Sequence, residues 1–133
     1  MRDEGFGEDK AQLLDRCRAV EEAGVGFTLH SDFMVTDPVP LHMMEMAVTR
    51  RTWKEPDYVL APQERISVES AIRAVTSEAA WQLFSEHEVG SLEVGKFADI
   101  VILDQDPRSV DPDRIKDIAV VETWMDGRQT YSA

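Results

Sequence analysis

The stretch from Asp9 to Asp32 constrains the fold more than any other part of the chain. Residues 9–23 carry Leu13, Cys17 and Val20 at helical spacing, Asp9 with Gln12 forms a capping box, and Gly24 stands where a helix-ending glycine belongs. Val25 to His30 is short, apolar and β-prone, and it runs into Ser31 and Asp32. Helix, glycine turn, then an apolar strand ending in polar residues is the unit from which parallel α/β sheets are built. In such sheets the chemistry gathers at the carboxyl ends of the strands, which gives Asp32 more weight than an aspartate elsewhere.

The remainder divides in two. Asp37-Pro38-Val39-Pro40 breaks the chain, and residues 41–50 can restart a helix rich in Leu, Met and Ala. Residues 51–65, with Pro56 and Pro62, read as a loop. Ser67 caps a helix with Val68, Ile72 and Val75 on one face, and a second helix from Glu78 to about Ser85 places Ala80, Leu83 and Phe84 inward. Beyond that, Gly90 and Gly95 bracket a turn, and residues 98–104 read as a buried strand. A polar link over 106–116 precedes a strand over 118–125, and Asp126-Gly127 turns the chain into a returning strand over 128–131. The expected organisation is an α/β part over 1–85 and a β-rich part over 86–133.

Charge narrows the function. Twenty-six acids against fourteen bases give a net charge of −12 in 133 residues, unsuited to a phosphate backbone or an anionic membrane surface. Arg50, Arg51 and Lys54 form the only local basic patch and read as an ion-paired helix end. One cysteine, Cys17, permits no internal disulfide, so a reduced cytoplasmic setting is expected. Met1-Arg2-Asp3-Glu4 is followed by further acids, unlike an apolar leader, and no apolar run is long enough to span a bilayer.

Few residues can carry chemistry. There is no phosphate-binding glycine loop, no nucleophile elbow and no paired-cysteine zinc pattern. Cys17 lies on an apolar helix face and reads as a packing residue; His42 and His87 read as surface or packing residues. Met34, Met43, Met44 and Met46 read as core. His30 and Asp32, two apart on a strand, share a face and are competent metal ligands, although a lone His-x-Asp is a weak signal.

Residues 24–32 (GVGFTLHSD), 47–51 (AVTRR), 65–71 (RISVESA), 90–104 (GSLEVGKFADIVILD) and 123–128 (TWMDGR) together resemble the amidohydrolase superfamily. The branch is amidohydrolase 3, with its N-substituted formamide deformylase-like enzymes, and the resemblance runs from about residue 9 to 131. It implies a (β/α)8 TIM-type barrel with a small β-sandwich domain, and one or two divalent metals, usually zinc. The metals are held by a His-x-His on the first strand, by later ligands, and by an aspartate ending the eighth strand. Asp32 falls on that aspartate, whose implied role is to ligate metal and take the proton of the attacking water. Many relatives have glycine where this chain has His30, which is therefore assigned to the substrate or to the surroundings of the site. Residues 90–104 belong to the sandwich and are structural.

This chain departs from the pattern in having no His-x-His and no earlier barrel strands. The implied reading is the C-terminal part of a metal-dependent amidohydrolase, acting on a non-peptide C–N bond of a small molecule and inactive alone. Its expected partner is the N-terminal barrel portion; by itself it is expected to form homo-oligomers or exchange strands. The alternative is a non-catalytic acidic binding or scaffolding module, or a partner subunit, derived from that family.

Overall fold

The structure is a computed structural model that describes Gly5 and residues 7–133; the Met1–Glu4 start lies outside the described residues. Among the described residues five α-helices, two 3₁₀ helices and three strands follow in order. The helices are α1 (Glu8–Ala11), α2 (Cys17–Glu22), α3 (Pro40–Thr49), α4 (Val68–Val75) and α5 (Ser77–Gln82). The 3₁₀ helices are Pro62–Glu64 and Pro112–Asp117, and the strands are β1 (Ile100–Leu103), β2 (Val120–Met125) and β3 (Arg128–Ser132).

The helix expected over 9–23 is two helices. Asp15 adopts a left-handed conformation (φ 49°), and the Arg50 guanidinium takes the Leu14 and Asp15 carbonyls at 2.8 and 3.1 Å. Those carbonyls are thereby withdrawn from a helical ladder. The capping box is also absent. Gln12 instead donates to Glu8 (3.0 Å) and to the Tyr58 hydroxyl (2.9 Å), and accepts from the Ala61 amide (2.9 Å), so it binds the 58–61 loop. The C-terminus of α2 is as expected: Gly24 and Val25 close a Schellman motif, donating to Glu21 and Val20 at 2.9 and 3.2 Å.

Residues 25–30 do not form a strand. They are extended, but a strand requires a neighbour, and among the described residues the only backbone bond of 26–31 amides is Leu29 N–H to the Ala74 carbonyl, 3.3 Å. Phe27 and Leu29 still pack against the core.

α3 begins with Pro40 in its first turn, where the missing N–H costs nothing, and ends at Arg50 in a left-handed conformation (φ 59°). Ser67 caps α4 by accepting the Ser70 amide at 3.0 Å. α5 stops at Gln82, three residues short of expectation, so Leu83 and Phe84 are exposed and not inward-facing. Gly90 (φ 89°) lets the next turn lie directly on α5.

β1, β2 and β3 form an antiparallel sheet in that order, with Ile100 opposite Trp124 and Thr123 opposite Tyr131. Asp126 and Gly127 both have positive φ (49° and 72°), as a type I′ hairpin turn requires. The sheet is less buried than its composition suggests: Val101 and Ile102 of β1, which point to opposite faces, are both exposed, and among the described residues β1 has one strand neighbour.

The core consists of Met44 and Ala47 of α3, Ile66, Ala71 of α4, and Ile115 and Ile118. Ile115 comes from the segment expected to be a polar link, and Ile118 from the start of the strand expected over 118–125. The end of the link is a 3₁₀ helix with Ile118 as its C-cap, and among the described residues Ile115 is the only large side chain that is fully buried. Two ion pairs hold it against α3. Glu45 accepts from Lys116 Nζ (2.6 Å) and the Lys116 amide (3.0 Å), while Asp113 receives Arg51 through two bonds of 2.6 and 2.9 Å. The Glu45 bond raises the Lys116 pKa, and the Arg51 guanidinium lowers that of Asp113.

Candidate functional site

An open cleft of about 590 Å³ lies between α2, the extended 27–31 segment, α3 and the loop that follows α3. Phe27, Met43, Met46 and Trp53 supply apolar walls, and His30, Ser31 and His42 bring polar groups to it. Its outline is held by Arg50, which sequence reading treats as part of a basic patch. The residue is 7% exposed and donates to the carbonyls of Leu14, Asp15 and Leu60, the last at 3.0 Å. An arginine just past a helix carries no sequence signal for this role, since only the tertiary fold brings those three carbonyls together.

Asp32 sits beyond the extended segment in a tight turn. Its backbone is left-handed (φ 51°), a conformation aspartate tolerates better than most side chains. Two bonds close the turn: Val35 N–H to the Asp32 carbonyl at 2.8 Å, and Thr36 Oγ1 to the Ser31 carbonyl at 2.6 Å. The Asp32 carboxylate is exposed, and among the described residues it makes no hydrogen bond or ion pair. His30 is exposed at the cleft and its Nδ1 accepts the Asp32 amide at 3.1 Å. The two residues are therefore joined by a backbone-to-side-chain bond within a turn, and not as neighbours on one strand face.

That bond determines what His30 can offer. With Nδ1 accepting, the neutral ring keeps its proton on Nε2, which then acts as a donor and not as a metal ligand. Cys17 also lines the cleft; burial pushes its thiol pKa up more strongly than Arg50 pulls it down, so it stays protonated near neutral pH. His42 lies 6.3 Å from the Trp53 ring, centroid to centroid, in a tilted contact. Met44 is core as expected, whereas Met34 is 90% exposed beside Asp32.

A hydrolytic zinc site needs at least three protein ligands and an open position. Asp32 suits one of them, as an unpaired carboxylate. Among the described residues no group of three His, Cys, Asp or Glu side chains could hold a metal ion. The donor set here does not make a metal centre by itself. Among those residues no helix is long and apolar enough to cross a membrane.

The chain is 32% identical over 126 residues to N-substituted formamide deformylase of Arthrobacter pascens, covering 94% of this chain and 23% of that protein. It is 42% identical over 105 residues to Protein LONG AFTER FAR-RED 3 of Arabidopsis thaliana, covering 77% and 17%. The chain thus spans less than a quarter of these curated relatives. An amidohydrolase from Thermotoga maritima superposes with a TM-score of 0.65 at 20% identity, over 88% of this chain and 26% of that one. An adenosine deaminase from Xanthomonas campestris, described with bound zinc, superposes with a TM-score of 0.65 at 22% identity, over 86% and 27%. These two share the fold. The profile of the amidohydrolase family matches residues 1–131, and the chain belongs to that family.

Proposed function

We propose that these residues act as the C-terminal part of a metal-dependent amidohydrolase that cleaves a non-peptide C–N bond of a small molecule. Asp32 is the working carboxylate. The observation that carries this reading is its unpaired side chain, held in a closed turn at the end of the extended 25–31 segment and beside the cleft. An exposed carboxylate with no partner is acceptor-only at neutral pH, and so can ligate a cation or take a proton from water.

On this reading residues 25–31 are a barrel strand that would pair with neighbouring strands, and residues 86–133 complete a β-sandwich. The divalent metal, zinc in the adenosine deaminase neighbour, would draw its other ligands from outside the described residues. When bound it would supply Lewis-acid activation. What these residues contribute is the carboxylate and, through the donor Nε2–H of His30, a contact for an oxygen of the substrate.

A hybrid tests this. Residues 9–131 replace the matching segment of the Arthrobacter pascens deformylase, and hydrolysis of an N-substituted formamide is measured. The hybrid should retain hydrolysis, and Asp32→Asn should lower kcat/KM at least about a hundredfold, the usual loss when a general base is removed. A folded, zinc-loaded hybrid whose rate is untouched by Asp32→Asn would overturn the assignment.

A second reading is an acidic binding or scaffolding module with no catalysis, favoured by the lack of a ligand cluster among the described residues. The hybrid separates the two, since such a module would fold in that context without supporting hydrolysis.

A further inference from the structure

His30 and Asp32 are joined by a bond that neither a strand nor a metal site requires. The imidazole Nδ1 of residue 30 accepts the amide of residue 32 at 3.1 Å. Nδ1 is bonded to Cγ, as is the Oδ1 of an asparagine. A δ acceptor on residue i that takes the amide of residue i+2 is the arrangement of an Asx turn, made here with an imidazole. The bond acts on a residue that needs support, because Asp32 is left-handed (φ 51°) and lies at the start of an exposed turn. The other two ties of that turn, at the Asp32 carbonyl and the Ser31 carbonyl, leave the Asp32 amide to His30 alone.

We propose that His30 is a positioning residue for Asp32. Its Nδ1 locks the Asp32 backbone in the left-handed conformation and so fixes the direction of the carboxylate. The same bond sets the ring tautomer and turns Nε2–H outward as a donor at the cleft. The functional half rests on reading Asp32 as the working carboxylate; the structural half does not.

The experiment uses the 133-residue chain, with amide exchange followed by NMR and ring ¹⁵N shifts read at pH about 8, above the ordinary imidazole value of about 6.5. In the native chain the neutral ring should be Nε2-protonated. His30→Ala should speed Asp32 amide exchange about fivefold, the effect of losing one modest hydrogen bond. His30→Asn, which keeps a δ acceptor, should restore the native rate, whereas His30→Gln, whose acceptor lies one atom further out, should not. Should His30→Ala loosen the whole fold, visible as faster exchange in α4, the Asn and Gln pair decides. An Nδ1-protonated ring, or Asp32 exchange equal in the Asn and Gln variants, would overturn the proposal. Asp32→Asn retains the amide, so its exchange should stay slow even if the carboxylate proves to have no role in hydrolysis.

Discussion

At the scale of single residues, the chain is held together by charged side chains that reach across sequence to satisfy backbone groups. Glu64 shows this best. It is almost fully buried, and its carboxylate accepts the Ala19 amide at 2.9 Å and the Arg16 guanidinium at 3.4 Å. Ala19 is in the first turn of α2, which has no side-chain cap of its own, so Glu64 caps that helix from 45 residues away. The Ala19 bond, followed by Arg16, holds the Glu64 pKa below its usual 4.5. A depressed carboxylate adds stability above its unfolded value and loses it as pH falls through the folded one. Glu64→Gln keeps an acceptor for Ala19 and should melt only slightly below the native chain at pH 7. It should also lose part of the steep acid destabilisation below about pH 4.5. Glu64→Ala removes the cap and should melt several degrees lower at both pH values. Calorimetry across pH 3 to 7 checks this, and equal melting of the Gln and Ala variants would show that Glu64 is no cap.

At the scale of elements, the turns do as much as the helices. Gly90 packs where an added Cβ would lie 2.5 Å from the Ala80 Cβ and 3.2 Å from the Ser77 Cα, at φ 89°. Gly24 also has positive φ (69°), yet an added Cβ would meet nothing within 4 Å. Gly24→Ala should therefore cost only the conformational strain, about 1 kcal/mol. Gly90→Ala adds a clash with α5 and should cost about 3 kcal/mol. Urea unfolding of the two variants tests the difference, and equal costs would mean that the turn can move off α5. The contrast also marks what sequence can reveal. Ser67, Pro40, Gly24 and Asp126-Gly127 were legible because each acts within a few residues of itself. Ile115 and Ile118 were not: a polar, proline-bounded segment hides Ile115, and Ile118 has strand composition but ends the 3₁₀ helix instead. Residues 25–30 have strand composition, but pairing depends on a neighbour that no local pattern can supply. For the candidate site the sequence singles out Asp32 by its place after an apolar run, whereas its turn and the part played by Arg50 depend on tertiary contacts.

At the scale of the whole molecule, one core joins α3 and α4 to Ile115 and Ile118, but it is thin. Among the described residues six of the ten buried apolar side chains are alanines, and large apolar side chains remain exposed in several places. Phe33, Met34 and Val35 are 70%, 90% and 75% exposed beside Asp32. Val101 and Ile102 are exposed on β1, which among the described residues pairs only with β2. An apolar, unblocked edge strand is a template for pairing with another chain. The net charge of −12 opposes that association, and salt weakens the opposition, since the screening length falls from about 30 Å at 0.01 M to about 8 Å at 0.15 M. The 133-residue chain should therefore be largely monomeric at low salt and self-associate as salt rises. Val101→Lys places a charge on the exposed side of β1 without touching the core, and should shift the equilibrium back to monomer at 0.15 M. Sedimentation equilibrium at both salt concentrations measures this. A single monomeric species at both, or association unchanged by Val101→Lys, would rule out β1 as the surface through which the chain associates.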